Sequence, residues 1–110
     1  MQWAQVEVSQ VPIKRQGHTA VVLKSGMFVF GGRTNSKKDV AARALLGDLC
    51  WFDFALNRWC FITETTGTAP CARHNHAAVV WRQTMIIFGG ASNDGYLNDM
   101  HSYDPAENTW

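Results

Sequence analysis

No stretch of this chain stays apolar for long. Its hydrophobic runs last four to six residues, against the roughly 20 that a membrane-spanning helix needs. The opening residues, MQWAQVEVSQVPIKRQG, hold no apolar core of the kind a signal peptide carries. Cysteine is scarce: there are three, and an odd count argues against a disulfide framework. No Asn-x-Ser/Thr sequon is present. A soluble chain in a reducing, cytoplasmic setting is therefore expected. A dominant charge is missing too. Ten Lys and Arg against nine Asp and Glu leave +1, which gives no electrostatic footprint for nucleic acid or an anionic membrane. Nucleophile-elbow, phosphate-loop and paired-carboxylate motifs are all absent. No catalytic residue, metal ligand or cofactor is assigned, and the chain is not expected to be an enzyme.

What the chain does have is a repeat. RQGHTAVVLKSGMFVFGG (15–32) aligns without a gap to RHNHAAVVWRQTMIIFGG (73–90), at an offset of 58 residues. LGDLCWFDFALNRW (46–59) aligns to LNDMHSYDPAENTW (97–110) at an offset of 51, because the first copy carries seven extra residues after its glycine pair. A repeat of this length marks a supersecondary unit that buries its faces against neighbours like itself. Short runs rich in β-branched and aromatic residues, separated by turn signals, read as strands. The predicted strands are 18–23, 27–30, 48–54 and 59–63, then 76–81, 85–88 and 99–104. An eighth is expected near 3–8, and ARALL (42–46) is read as a helical turn. Four consecutive strands joined by tight turns make an antiparallel meander. Gly31–Gly32 and Gly89–Gly90 stand where the chain bends sharply out of a buried strand, which calls for positive φ or close backbone approach. Trp59 and Trp110, with Phe52 and Tyr103, are expected to fill the gap between sheets. If Phe52 and Trp59 share a face, alternation puts Cys50 on that face and Cys60 on the other.

Several coupled signals carry a family resemblance. They are an Arg shortly before His18 or His76, the double glycine, Asp48 or Asp99 opening strand three, and Phe52-Asp53 or Tyr103-Asp104 followed six residues later by Trp. Together they resemble the kelch repeat, whose units each form one four-stranded blade of a β-propeller. The resemblance implies an all-β, partial kelch-type propeller of about two antiparallel blades. Residues 1–14 would be the trailing strand of a preceding repeat, 15–63 one blade, and 64–110 a second blade lacking its last strand. A propeller needs about four to eight blades, so a segment of a larger protein is expected. The resemblance further implies a protein–protein interaction module. It would be the substrate-recognition part of a ubiquitin-ligase adaptor, with a BTB/cullin context elsewhere in the chain, or a cytoskeletal, actin-binding scaffold. The alternative is a piece of a metal-dependent enzyme built on a kelch-type propeller.

Function on a repeated scaffold sits where the copies differ. RTNSKKDVAARALLG (33–47) is long and basic, whereas its counterpart ASNDGYLN (91–98) is short and holds Asp94. Loops 9–15, 33–47 and 63–73 are expected on one side of the blades. Carrying the kelch loop face onto this chain marks Arg15, Arg33, Asn35 and Arg73, with Lys37 and Lys38, as contacts for an acidic peptide. For any one of them the competing reading is a solvated charge that keeps the loop soluble. His18, His74, His76 and His101 invite a metal reading, and His74 and His76 would share a strand face. Because His18 and His76 are repeat-equivalent, a role in the blade is the better account. Asp48, Asp53, Asp99 and Asp104 also recur, which marks them as turn or strand-start residues.

Overall fold

The computed structural model describes residues 2–35 and 44–110. The apolar runs form seven strands: β1 (Thr19–Leu23), β2 (Gly26–Phe30), β3 (Leu49–Asp53), β4 (Arg58–Ile62), β5 (Ala77–Trp81), β6 (Thr84–Ser92) and β7 (Gly95–Tyr103). They make two antiparallel sheets in sequential order, β1-β2-β3-β4 and β5-β6-β7. The architecture is all-β, with no helix among the described residues. Tight connections set the register. Arg82 and Gln83, between β5 and β6, have φ of 47° and 64°, matching the type I′ turn whose twist suits a hairpin.

Three local expectations change. No strand forms over residues 2–15, so the eighth strand near 3–8 is not seen; it has no ladder partner among the described residues. The helical turn over 42–46 is not seen where the chain is described: Leu45 pairs with Arg33 as an antiparallel bridge, and 42–43 lie outside the described residues. Residues 91–98 are not a loop. β6 and β7 run on past the glycine pair as a hairpin, with Asn93 and Asp94 at its tip and a register shift between Phe88 and Gly90.

The glycine pairs have a steric cause. Gly31 and Gly32 have φ of 69° and 102°, the left-handed region that side chains penalise. A Cβ on Gly31 would lie 2.8 Å from the Arg73 carbonyl oxygen, and one on Gly32 would lie 2.8 Å from that of Gln16. This closeness is what joins the sheets, since the Gly32 amide donates to the Arg73 carbonyl at 2.8 Å.

The core lies between the two sheets. The first sheet contributes Leu23, Phe28, Phe30 and Leu49, and the second Met85, Ile87 and Tyr103, with Trp51, Ile62 and Trp110 packed against them. Trp110 meets Phe30 edge-on at 5.4 Å and Tyr103 at 5.1 Å. Each sheet thus has a forward face, toward the following repeat, and a rear face, toward the preceding one. The Tyr or Phe and Trp of a repeat stand on its rear face. Trp59 is therefore not between the sheets: it pairs with Phe52 on the rear of the first sheet and is only partly buried. Cys50 lies on that same face, opposite Phe61, while Cys60 lies on the other, opposite Trp51; all three cysteines are free.

Candidate partner-binding site on the loop face

The segment before β1 and the segment after β2 are zipped together by two backbone hydrogen bonds. Gln16 donates to the Arg33 carbonyl at 3.0 Å, and Arg33 donates to that of Gln16 at 2.8 Å. The Thr34 amide then donates to the Ala44 carbonyl at 3.1 Å. This short ladder holds one wall of an open cavity of about 510 Å³, lined by Lys14, Arg15, Gln16, Arg33, Thr34 and Asn35. Of the residues expected to contact a partner, Arg15, Arg33 and Asn35 meet here. Lys37 and Lys38 lie outside the described residues.

Arg73 is placed differently. Its side chain has no exposed surface and forms two parallel bonds with Asp99, at 2.6 and 2.8 Å. It also donates to the carbonyls of Cys71 and Gly89, both at 3.1 Å, and to Cys71 Sγ at 3.3 Å. Every N–H of the guanidinium is thereby engaged. Arg15 repeats the pattern with Asp48, at 2.6 and 2.9 Å, and with the Gly31 carbonyl at 3.1 Å. A third contact also recurs. Cys50 Sγ reaches Asp48 at 3.5 Å, and its repeat counterpart His101 reaches Asp99 at 2.8 Å.

These pairs pin the segment before β1 to the residue just before β3, and the segment before β5 to the middle of β7. The signal was in the sequence: Arg and Asp recur together, though 33 and 26 residues apart. The electrostatics agree. Hydrogen bonds from Arg73 hold Asp99 well below the usual carboxylate range, with His101 adding to them. For Asp48, partial burial opposes ionisation, but the bonds and charge of Arg15 outweigh it and the net shift is downward. Burial, with the neighbouring Asp48 carboxylate, pushes the Cys50 thiol up to about 11, so it is no ready nucleophile.

The other recurring residues are also structural. Asp53 Oδ1 accepts from the amides of Ala55 and Leu56, and Asp104 Oδ1 from that of Ala106, as Asx turns do. His76 is buried against Phe30, 5.4 Å away, and lies 2.8 Å from Thr19 Oγ1. Burial and then the nearby Arg73 charge lower its pKa to about 4, so it is neutral in the fold. Among the described residues, no group of three His, Cys, Asp or Glu gathers to hold a metal ion.

The chain matches the model of the KLHDC2/KLHL20/DRC7 Kelch-repeats domain over residues 1–110. It belongs to the kelch-repeat family. It is 35% identical over 102 residues to Kelch domain-containing protein 3 of Bos taurus, covering 91% of this chain and 25% of that protein. It is 42% identical over 95 residues to the leucine-zipper-like transcriptional regulator 1 homolog of Drosophila melanogaster, covering 84% of this chain and 8% of that protein. It is 30% identical over 106 residues to the tRNA wybutosine-synthesizing protein 2/3/4 of Oryza sativa subsp. japonica, covering 96% and 10%. The chain thus spans a quarter or less of the curated relatives it matches.

Within this kelch pair the cavity belongs to one repeat only. At the offset of 58, Lys14 and Arg33 correspond to Ala72 and Ala91. The paired arginine is common to both repeats, and the cations around it are not.

Proposed function

We propose that the chain is a protein-interaction module of a kelch propeller whose loop face takes an acidic segment of a partner protein. One observation carries this reading: Lys14 and Arg33 stand together at a cavity in which Asp48 already neutralises Arg15. The net charge there is positive, and it is confined to a site that the second repeat does not copy. Family membership supports the coarser reading, since kelch domains commonly bind proteins. In this proposal Arg33 and Lys14 supply charge, Asn35 and Thr34 supply hydrogen bonds, and Arg15 and Arg73 hold the loop walls. Lys37 and Lys38 follow Arg33 in the same basic stretch of sequence and are further candidates for contacting the acidic partner.

The finer reading is the substrate-recognition part of a ubiquitin-ligase adaptor, acting in the cytoplasm; co-purification of the longer protein with a cullin rather than with actin would favour it over a scaffold. The binding site itself is tested by fluorescence anisotropy with a labelled acidic peptide, titrated at low and high salt. Charge reversal at Arg33 or Lys14 should weaken binding about tenfold and flatten the salt dependence. Lys24→Glu, in the turn on the opposite side of the blade, should change little. Equal losses from both sides would overturn a localised site.

A further inference from the structure

The cavity beside Arg33 is rich in donors and poor in negative charge. Lys14 and Arg33 bring two cations, while Gln16, Thr34 and Asn35 bring two side-chain amides and a hydroxyl. None of the described residues lining it is acidic. Arg15, the third cation there, is committed to Asp48 at 2.6 and 2.9 Å. The neutral donors are common to both repeats: at the offset of 58, Thr34 and Asn35 answer Ser92 and Asn93, whereas Lys14 and Arg33 answer Ala72 and Ala91. Two positive charges are thus set on a polar edge that the second repeat has without them. Arg33 adds a separate observation. Its Nε is buried and meets no acceptor among the described residues. A buried donor in that state is destabilising, and an anion drawn into the cavity would supply the missing acceptor as the side chain turns toward it. Hydrogen bonds inside this one repeat hold the walls, twice between Gln16 and Arg33 and once from Thr34 to Ala44.

We propose, building on the loop-face reading above, that this cavity is a phosphoryl subsite and that the acidic segment it receives carries a phosphorylated serine or threonine. Charge and shape both favour a phosphoryl group over a carboxylate. A carboxylate has one charge and two oxygens in a plane. A phosphorylated side chain carries about −1.5 to −2 charges on three acceptor oxygens. Two uncompensated cations match the second. The donors also stand on two segments, Lys14 and Gln16 before β1, and Arg33, Thr34 and Asn35 after β2. They approach an anion from two sides, which suits a tetrahedral group. Arg33 presents the fork of donors that bonds a phosphate through two oxygens, and Lys14 acts as a point charge beside it. A peptide is the better source of the phosphoryl group than a nucleic acid. The whole chain carries a net +1, and no aromatic ring stands among the described lining residues for a base to stack on.

The test is fluorescence anisotropy on the 110-residue chain. The probe is a short fluorescein-labelled peptide with two glutamates and, between them, a serine, a phosphoserine or an aspartate. At fixed salt the phosphoserine form should bind about tenfold more tightly than the aspartate form, because it gains a charge and a third oxygen for charge-assisted bonds. Arg33→Lys keeps the charge but loses the fork. It should remove most of that preference and leave binding of the aspartate form nearly unchanged. Lys14→Gln should weaken the phosphoserine form more than the serine form. Near-ultraviolet circular dichroism checks that both variants keep their packed core, and Lys14→Gln alone decides if Arg33→Lys is unfolded. Equal affinity for the phosphoserine and aspartate forms would overturn the phosphoryl subsite and leave the acidic-segment reading standing. Failure of all three peptides to bind would overturn that reading and the subsite together. A phosphoserine preference that survives both substitutions would put the phosphate elsewhere and overturn the site. An oligouridylate that binds more tightly than the phosphopeptide would assign the cavity to nucleic-acid phosphate and overturn the peptide source.

Discussion

A guanidinium with no exposed surface, such as that of Arg73, is stable only while its donors are matched. Asp99 supplies the charge that matches it, from a side chain still 40% exposed to water. Asp99→Asn keeps the shape but turns an amide N–H toward the guanidinium. It should cost about 1–3 kcal/mol in urea unfolding at neutral pH, with water at the exposed edge limiting the loss. Acidification acts on the same region in two stages. An unfolded chain binds a proton at His76 near pH 6.5, while the folded chain resists it until about pH 4. Stability should therefore fall as pH drops through that window, and the His76 contribution to the loss is complete near pH 4. Below the ordinary carboxylate value of about 3.9, Asp48 and Asp99 begin to add their own loss, because the fold lowers both. Urea midpoints measured across pH 3–7 would show this slope, and His76→Gln should flatten its upper part.

Among the elements, the strands were legible because each β-branched run ends at a turn residue in both copies. Their faces were less so. Alternation could place Phe52, Trp59 and Cys50 together, but it could not say which neighbour that face would meet. Trp59 consequently stands on the open rear face, and Trp110 takes the packed role. The β6–β7 hairpin was hidden for a different reason: ASND (91–94) has loop composition, and only its pairing across the sheet reveals two strands. The site was partly legible. Basic residues missing from the second copy pointed to Arg33, but pairing of Arg15 with Asp48 spans 33 residues and is a tertiary fact. One element invites a direct test. Gln83 holds a φ of 64° in the β5–β6 turn, a conformation that costs a non-glycine residue about 1–2 kcal/mol. Gln83→Gly should therefore raise stability by about 1 kcal/mol, read from thermal or urea unfolding.

At the scale of the whole molecule, neither sheet has a core of its own. Phe30 is 1% exposed and touches both His76 and Trp110 across the junction. Phe30→Ala should cost about 3–5 kcal/mol, and the two sheets should be lost in one transition, since each is the other's second layer. Trp59→Ala removes as large a ring from a face with no opposing sheet and should cost less than half as much. Equal costs in the same urea titration would show that the rear face is covered after all.

The β6–β7 hairpin also gives the loop face a direction. Its tip, on the same side as the Lys14–Arg33 cavity, carries Asp94 and a fully outward Tyr96, 97% exposed. Positive charge over one repeat and negative charge over the next form a lateral dipole. On the proposed reading, a partner segment with separated acidic and basic ends has a preferred polarity, acidic over Arg33 and basic over Asp94. The same residues in reversed order would bind more weakly at low salt, and the difference would fade as salt screens it. Such a face distinguishes sequence order as well as composition.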